Sequence, residues 1–96
     1  MRPDSDDTRQ MTRTWTDAQI RGAIVELLDQ RATDATICPS EVARHLAPSG
    51  WRPLMPQIRE VAVGMARQGR LEIRQKGVTQ SPDTPLRGPI RLGRKA

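Results

Sequence analysis

The chain has 96 residues, 35% hydrophobic and 28% charged, which is enough for one small domain with tails. No apolar run reaches the ~20 residues of a membrane helix, and the N-terminus MRPDSDDTRQ lacks the apolar segment of a secretory signal, so a cytoplasmic protein is expected. A single cysteine excludes an internal disulfide and a multi-thiolate metal site, while Lys+Arg 16 against Asp+Glu 11 gives net +5, a balance that favours an anionic partner such as nucleic acid.

Residues 1–13 are polar, carry three acids against three bases and show no apolar periodicity; they read as a disordered leader. A first helix is predicted at about 16–31. Thr16 and Gln19 form a T-x-x-Q capping box, and Trp15 can staple onto Ile20. Ile20, Ala23, Ile24, Leu27 and Leu28 then line one face, with Gly22, Glu26 and Asp29 opposite.

Thr36-Ile37-Cys38 is a short β-branched run before Pro39, and proline suits the first helical position. Cys38 is therefore the expected N-cap of a second helix over about 39–47, with Glu41 at N3 and Ile37 stapled to Val42. This helix buries Val42, Ala43 and Leu46, exposes Glu41, Arg44 and His45, and ends in the turn residues Ala47-Pro48-Ser49-Gly50.

A third helix begins near Arg52-Pro53 and runs to about Gln68, with Gly69 as its C′ residue. Leu54, Ile58, Val61, Ala62 and Met65 share one face, whereas Arg52, Pro56, Arg59, Val63 and Arg67 lie on the other. Pro56 is tolerable only inside the first turn. After Gly69 the period falls to two, and Arg70 to Gln75 reads as a half-buried strand. Lys76-Gly77 starts a turn, and Gln80 to Pro89, with three prolines, is an irregular loop. Ile90-Arg91-Leu92 alternates again and returns beside Leu71–Gln75 as the second strand of a hairpin.

Helix, short strand, helix, turn, helix and hairpin is the order of a winged helix-turn-helix, a mainly α member of the α+β class. The expected domain spans 14–93, followed by a basic tail at 94–96. The strings TICPSEVARHL, GWRPLMPQIREVAVGMARQGRLEIRQKG and RGPIRL resemble the pattern of a small bacterial domain-of-unknown-function family. That resemblance covers about residues 16–92 and implies a short cytosolic protein of the winged-helix group. The family brings no catalytic or ligand residues with it. The acidic leader and the position of Pro56 depart from the pattern.

The basic residues are 14 Arg and only 2 Lys, and Phe, Tyr and Asn are absent. A GC-rich bacterial genome would give that composition everywhere, so arginine abundance alone proves nothing. Its distribution says more. Residues 1–50 hold 6 bases and 8 acids, net −2, whereas residues 51–96 hold 10 bases and 3 acids, net +7.

The positive half is the third helix and the hairpin wing, which together would face duplex DNA, as in a transcriptional regulator. Arg52, Gln57, Arg59 and Arg67 are the candidate groove or phosphate contacts from the helix. Arg70, Arg74, Lys76, Arg87 and Arg91 are the candidate wing contacts. Solvated faces on a basic domain explain each of these residues, taken singly, nearly as well. Glu60 and Val63 on the same face oppose tight phosphate contact. The alternative is a protein–protein interaction module of the same fold, seeded by Met55 and Val63 if they are exposed together.

Enzymatic chemistry is not expected. His45 and Cys38 stand seven residues apart, about 10 Å along a helix, too far for a nucleophile–base pair. No Gly-rich phosphate loop occurs, and the ligands for a metal site are lacking. No cofactor is implied. With no Phe or Tyr, an aromatic RNA platform is excluded, and Trp15 and Trp51 read as packing residues, Trp51 at the junction of the second and third helices.

Overall fold

A computed structural model describes residues 15–95. The leader expected over residues 1–13 lies outside the described residues. Three helices and a four-stranded antiparallel sheet make an α+β, mainly α arrangement compatible with a winged helix.

Helix α1 spans Asp17–Asp29. Its capping box is formed on both sides: the Gln19 N–H donates to Thr16 Oγ1 at 3.1 Å, and the Thr16 N–H donates to Gln19 Oε1 at 2.9 Å. Two of the four N–H groups left unpaired at the helix start, those of the N-cap Thr16 and of Gln19, are thereby satisfied. Strand β1 is Thr36–Ile37, and helix α2 spans Pro39–Leu46 with Cys38 as N-cap. The Cys38 N–H donates to Glu41 Oε2 at 2.9 Å. Leu46 is half-buried rather than fully enclosed, though it packs against the core.

The third helix starts later than the sequence pattern predicts. Arg52–Leu54 is a 3-10 turn, and helix α3 runs Met55–Arg67. Pro56 supplies the reason. It has no N–H to donate back to the carbonyl of Arg52, so the preceding turn tightens instead. Leu54 donates to Trp51 O at 3.0 Å, and the Met55 N–H to Arg52 O. At the other end Gly69 sits at φ +72, the Gly69 N–H donates to Ala66 O at 3.0 Å, and Arg70 donates to Met65 O at 2.9 Å. That pair of bonds is a Schellman motif, which glycine enters without steric cost.

Strand β2 is Leu71–Gln75 and strand β4 is Arg91–Arg94, paired antiparallel as expected, with Ile73 opposite Leu92. Strand β3, Val78–Gln80, was not anticipated. Lys76 (φ 52) and Gly77 (φ 80) both adopt positive φ, which folds the chain straight back into a tight hairpin. The sheet order is β1-β4-β2-β3. β4 continues past Leu92 through Gly93 and Arg94, beyond the expected strand end, because β1 pairs on its far side at Thr36↔Gly93 and Ile37↔Leu92.

The core lies between the helices and one sheet face. Ile20, Ile24, Ile37, Val42, Ile58, Ile73 and Leu92 are each 0% exposed, and burial of such side chains contributes roughly 1.5–3 kcal/mol apiece. Glu72, Arg74 and Arg91 alternate with the buried strand residues and fall on the opposite face.

Candidate nucleic-acid interface

The outer face of α3 is not bare. The stretch from Ser81 to Pro89 runs back along the helix from its C-terminal end. Arg67 Nε donates to Asp83 Oδ1 at 3.1 Å; then Arg59 Nη2 donates to Leu86 O at 3.0 Å and Arg59 Nη1 to Gly88 O at 3.2 Å. Arg59 and Val63 are half-buried as a result, although helical periodicity places them toward solvent. Between this stretch and the first turn of α1 lies a groove of about 860 Å³, floored by Pro56, Glu60, Val63 and Gly64 and walled by Arg21 and Leu86. Met55 and Val63 therefore sit within a groove lined by both signs of charge, each partly covered.

The sequence-predicted contacts divide into two sets. Gln57 turns inward: its Nε2 donates to Trp15 O at 2.8 Å and to Asp17 Oδ1 at 2.9 Å, joining α3 to the start of α1. Arg59 and Arg67 hold the covering loop. Arg74 and Arg91 stand directly opposite on β2 and β4, an arrangement of like charges that costs stability unless each is compensated. Arg74 Nη2 donates to Glu72 Oε1 at 3.1 Å. Arg91 grips β1, with Nε donating to Thr36 Oγ1 at 2.9 Å and Nη2 to Thr36 O at 3.0 Å.

Arg91 also bears on Glu41 at the start of α2. Burial pushes the Glu41 carboxyl up, but the Cys38 N–H, the Arg31 guanidinium and the charge of Arg91 outweigh it. They hold the carboxyl below the ordinary glutamate range.

The second set is open. Arg52, Arg70, Lys76 and Arg87 are exposed, and no hydrogen bond or ion pair among the described residues engages their side chains. Arg87 has a defined place all the same. Its carbonyl accepts from Gln75 Nε2 at 2.7 Å, and the carbonyls on either side of it, Leu86 and Gly88, accept from Arg59. Arg87 is thus held between the second turn of α3 and the end of β2, one residue from the Lys76 turn. Gln75 is a positioning residue that the sequence pattern did not reveal, since it reads only as the last polar residue of a strand.

Two further residues escaped the sequence reading. Arg44 lies over the Trp51 ring, its guanidinium carbon 4.6 Å from the centroid, and Arg52 lies 4.7 Å from the same centroid. Arg94, expected in a loose basic tail, caps α1 instead. Its Nη2 donates to Leu28 O at 3.0 Å and lies 3.2 Å from Asp29 Oδ1, placing a cation at the negative end of the helix.

His45 Nε2 lies 3.4 Å from Glu26 Oε1, and Cys38 Sγ accepts from the Ser40 hydroxyl at 3.1 Å. Among the described residues, no group of three or more His, Cys, Asp or Glu converges to hold a metal ion, and no helix is long and apolar enough to cross a membrane.

The pattern of proteins of unknown function called DUF3253 matches residues 17–95. The chain belongs to the DUF3253 family. The match takes in every element from α1 to β4, so the fold and the arginine tethers described above all fall inside the DUF3253 domain. A search of curated proteins gave no match.

Proposed function

We propose that this DUF3253 domain is a winged helix that binds duplex DNA. The α2–α3 turn, the segment around Arg87 that covers α3 and the β2–β3 hairpin would form the contact surface. The observation that carries the reading is the backbone of Arg87, an open cation, tied at its neighbours to Arg59 in the second turn of α3 and at its own carbonyl to Gln75, the residue before the open Lys76. Arg52, in the 3-10 turn that leads into α3, extends the basic surface toward α2.

The roles divided between the predicted contacts follow from their partners. Arg52, Arg70, Lys76 and Arg87 are the phosphate contacts, because their donors are uncommitted. Gln57, Arg59, Arg67, Arg74 and Arg91 shape the surface through internal bonds. The distribution of apolar residues supports this reading over a protein-docking one. Among the described residues the exposed large hydrophobics are Val25 on α1 and Val78 on β3, which form no contiguous patch.

Fluorescence anisotropy with a labelled duplex, at about 50 and about 200 mM salt, tests the reading. Binding is expected to weaken steeply with salt. The double variant Lys76→Ala/Arg87→Ala is expected to flatten the log–log slope by about 2, or 0.9 per lost phosphate contact, without changing thermal stability. Absence of binding at the lower salt, or binding indifferent to salt, would refute it.

A further inference from the structure

Arg44 on α2 and Arg52 on the turn into α3 share one indole. The two centroid distances, 4.6 and 4.7 Å, put their guanidinium carbons at most about 9 Å apart, the sum of the two. Neither guanidinium has an acidic partner among the described residues. On the elements packed against them, Glu26 lies beside His45, Glu41 is paired with Arg31, and Glu60 on α3 forms no ion pair with either guanidinium. A ring quadrupole attracts a cation over its face, so Trp51 holds two positive charges together that would otherwise separate.

A guanidinium stacked on a ring engages through its face, while its five N–H donors lie in its plane. None of those donors on Arg44 or Arg52 is used by a protein acceptor among the described residues. The outcome is a rigidly based pair of unspent forks, each suited to bidentate bonding with a phosphate. One nucleic-acid strand carries a charge for about every 3.4 Å of axis, so a pair within about 9 Å matches phosphates one or two nucleotides apart.

We infer that Arg44, Trp51 and Arg52 form a clamp for two neighbouring phosphate groups. In this clamp Trp51 is the platform that positions both guanidiniums, and it stacks on no base. The inference rests on the duplex-DNA reading for its source of phosphates, a single strand of the backbone, and adds to that reading Arg44, which nothing in the sequence pattern marked. The same chemistry would accept a free diphosphate.

Two measurements on the full chain separate these sources. In the first, anisotropy with duplex compares wild type with Arg44→Gln and with Arg44→Gln/Arg52→Gln. The clamp requires the salt slope to flatten by about 0.9 in the single variant and by about twice that in the double, with melting temperatures close to wild type. In the second, the Trp51 indole N–H and the Arg44 and Arg52 Nε–H resonances are followed by NMR during titration with inorganic pyrophosphate, with orthophosphate as the single-phosphate control.

Duplex binding whose slope is unchanged in the double variant overturns the clamp and leaves the DNA reading standing. No duplex binding, with pyrophosphate shifting all three residues more than orthophosphate does, supports the clamp for free diphosphate and removes the DNA reading. If no duplex binds and pyrophosphate leaves these resonances in place, or moves them no more than orthophosphate does, the clamp is refuted.

Discussion

Replacing Arg59 by alanine separates two roles that helical periodicity cannot distinguish. As a groove contact, Arg59 would be dispensable for folding, and its loss would remove one phosphate or base interaction. As the tether seen here, it holds two carbonyls at 3.0 and 3.2 Å. Hydrogen bonds to a charged group contribute about 1.5–3 kcal/mol each when the partner is left stranded. The Leu86 and Gly88 carbonyls belong to a surface loop and regain water, so the pair together is expected to lose about 1–2 kcal/mol. For a domain of this size that lowers the melting temperature by about 5–15 °C. Arg59→Lys keeps the charge but replaces the fork by one ammonium that cannot span two carbonyls in fixed geometry, and it should recover no more than about half of the loss. Circular dichroism melts give the stability, and trypsin cleavage after the exposed Arg87 reports whether the loop has come free. A melting temperature within about 1 °C of wild type, with cleavage after Arg87 no faster, would refute the tether.

Three further outcomes follow from the packing. Arg94→Met removes the cap on the C-terminal carbonyls of α1 and should cost about 1–2 kcal/mol, read as a lower melting temperature with faster exchange in the last turn of α1. A Cβ at Gly93 would lie 3.2 Å from Thr36 Cγ2 and 3.6 Å from the Arg74 guanidinium, so Thr36 must shift by a few tenths of an ångström to admit it and Gly93→Ala should cost no more than about 1 kcal/mol. Thr36→Ser removes that methyl while keeping the Oγ that accepts from Arg91, and in a double-mutant cycle it should relieve most of the cost. Glu41 is held below its ordinary value of 4.5, so its stabilising contribution is complete above that value and is lost as pH falls through the folded one. The gap in melting temperature between wild type and Glu41→Gln should be constant near neutrality and should close on acidification below about 4.5.

The elements legible in the sequence were those written in local chemistry. Thr16 and Gln19 announce α1, Pro39 after Cys38 announces α2, Gly69 ends α3, and the alternation at Leu71 and Ile73 gives β2. Strand β3 left no such mark: it is three residues long, and its one large apolar side chain, Val78, is 59% exposed. The turn at Lys76-Gly77 is legible, but only the positive φ of both residues shows that it is tight enough to return the chain at once against β2. The site was less legible than the fold because its decisive bonds are remote. Arg59 meets Leu86 across 27 residues, Arg91 meets Thr36 across 55, and Arg94 meets Leu28 across 66. A helical wheel states which way Arg59 points. It cannot state that a proline-rich loop arrives there to meet it.

The net charge of +7 over residues 51–96 therefore carries two different quantities. A guanidinium bonded to a backbone carbonyl keeps its full charge, so Arg59 and Arg91 still contribute to the long-range field that draws a polyanion toward the surface. They cannot at the same time give those N–H donors to a phosphate. Field strength follows all the arginines, whereas the number of counterions released on binding follows only the cations free to make contact. The proposed surface has five of these: Arg44, Arg52, Arg70, Lys76 and Arg87. At about 0.9 per phosphate, they set a limiting log–log salt slope of about −4.5. A steeper slope would mean that further cations make contact, and a slope that returns to this limit in Arg59→Ala would single out Arg59 as leaving the Leu86 and Gly88 carbonyls on binding. The slope of wild type, set beside that of Arg59→Ala, thus measures whether the arginines of this domain act as struts or as contacts.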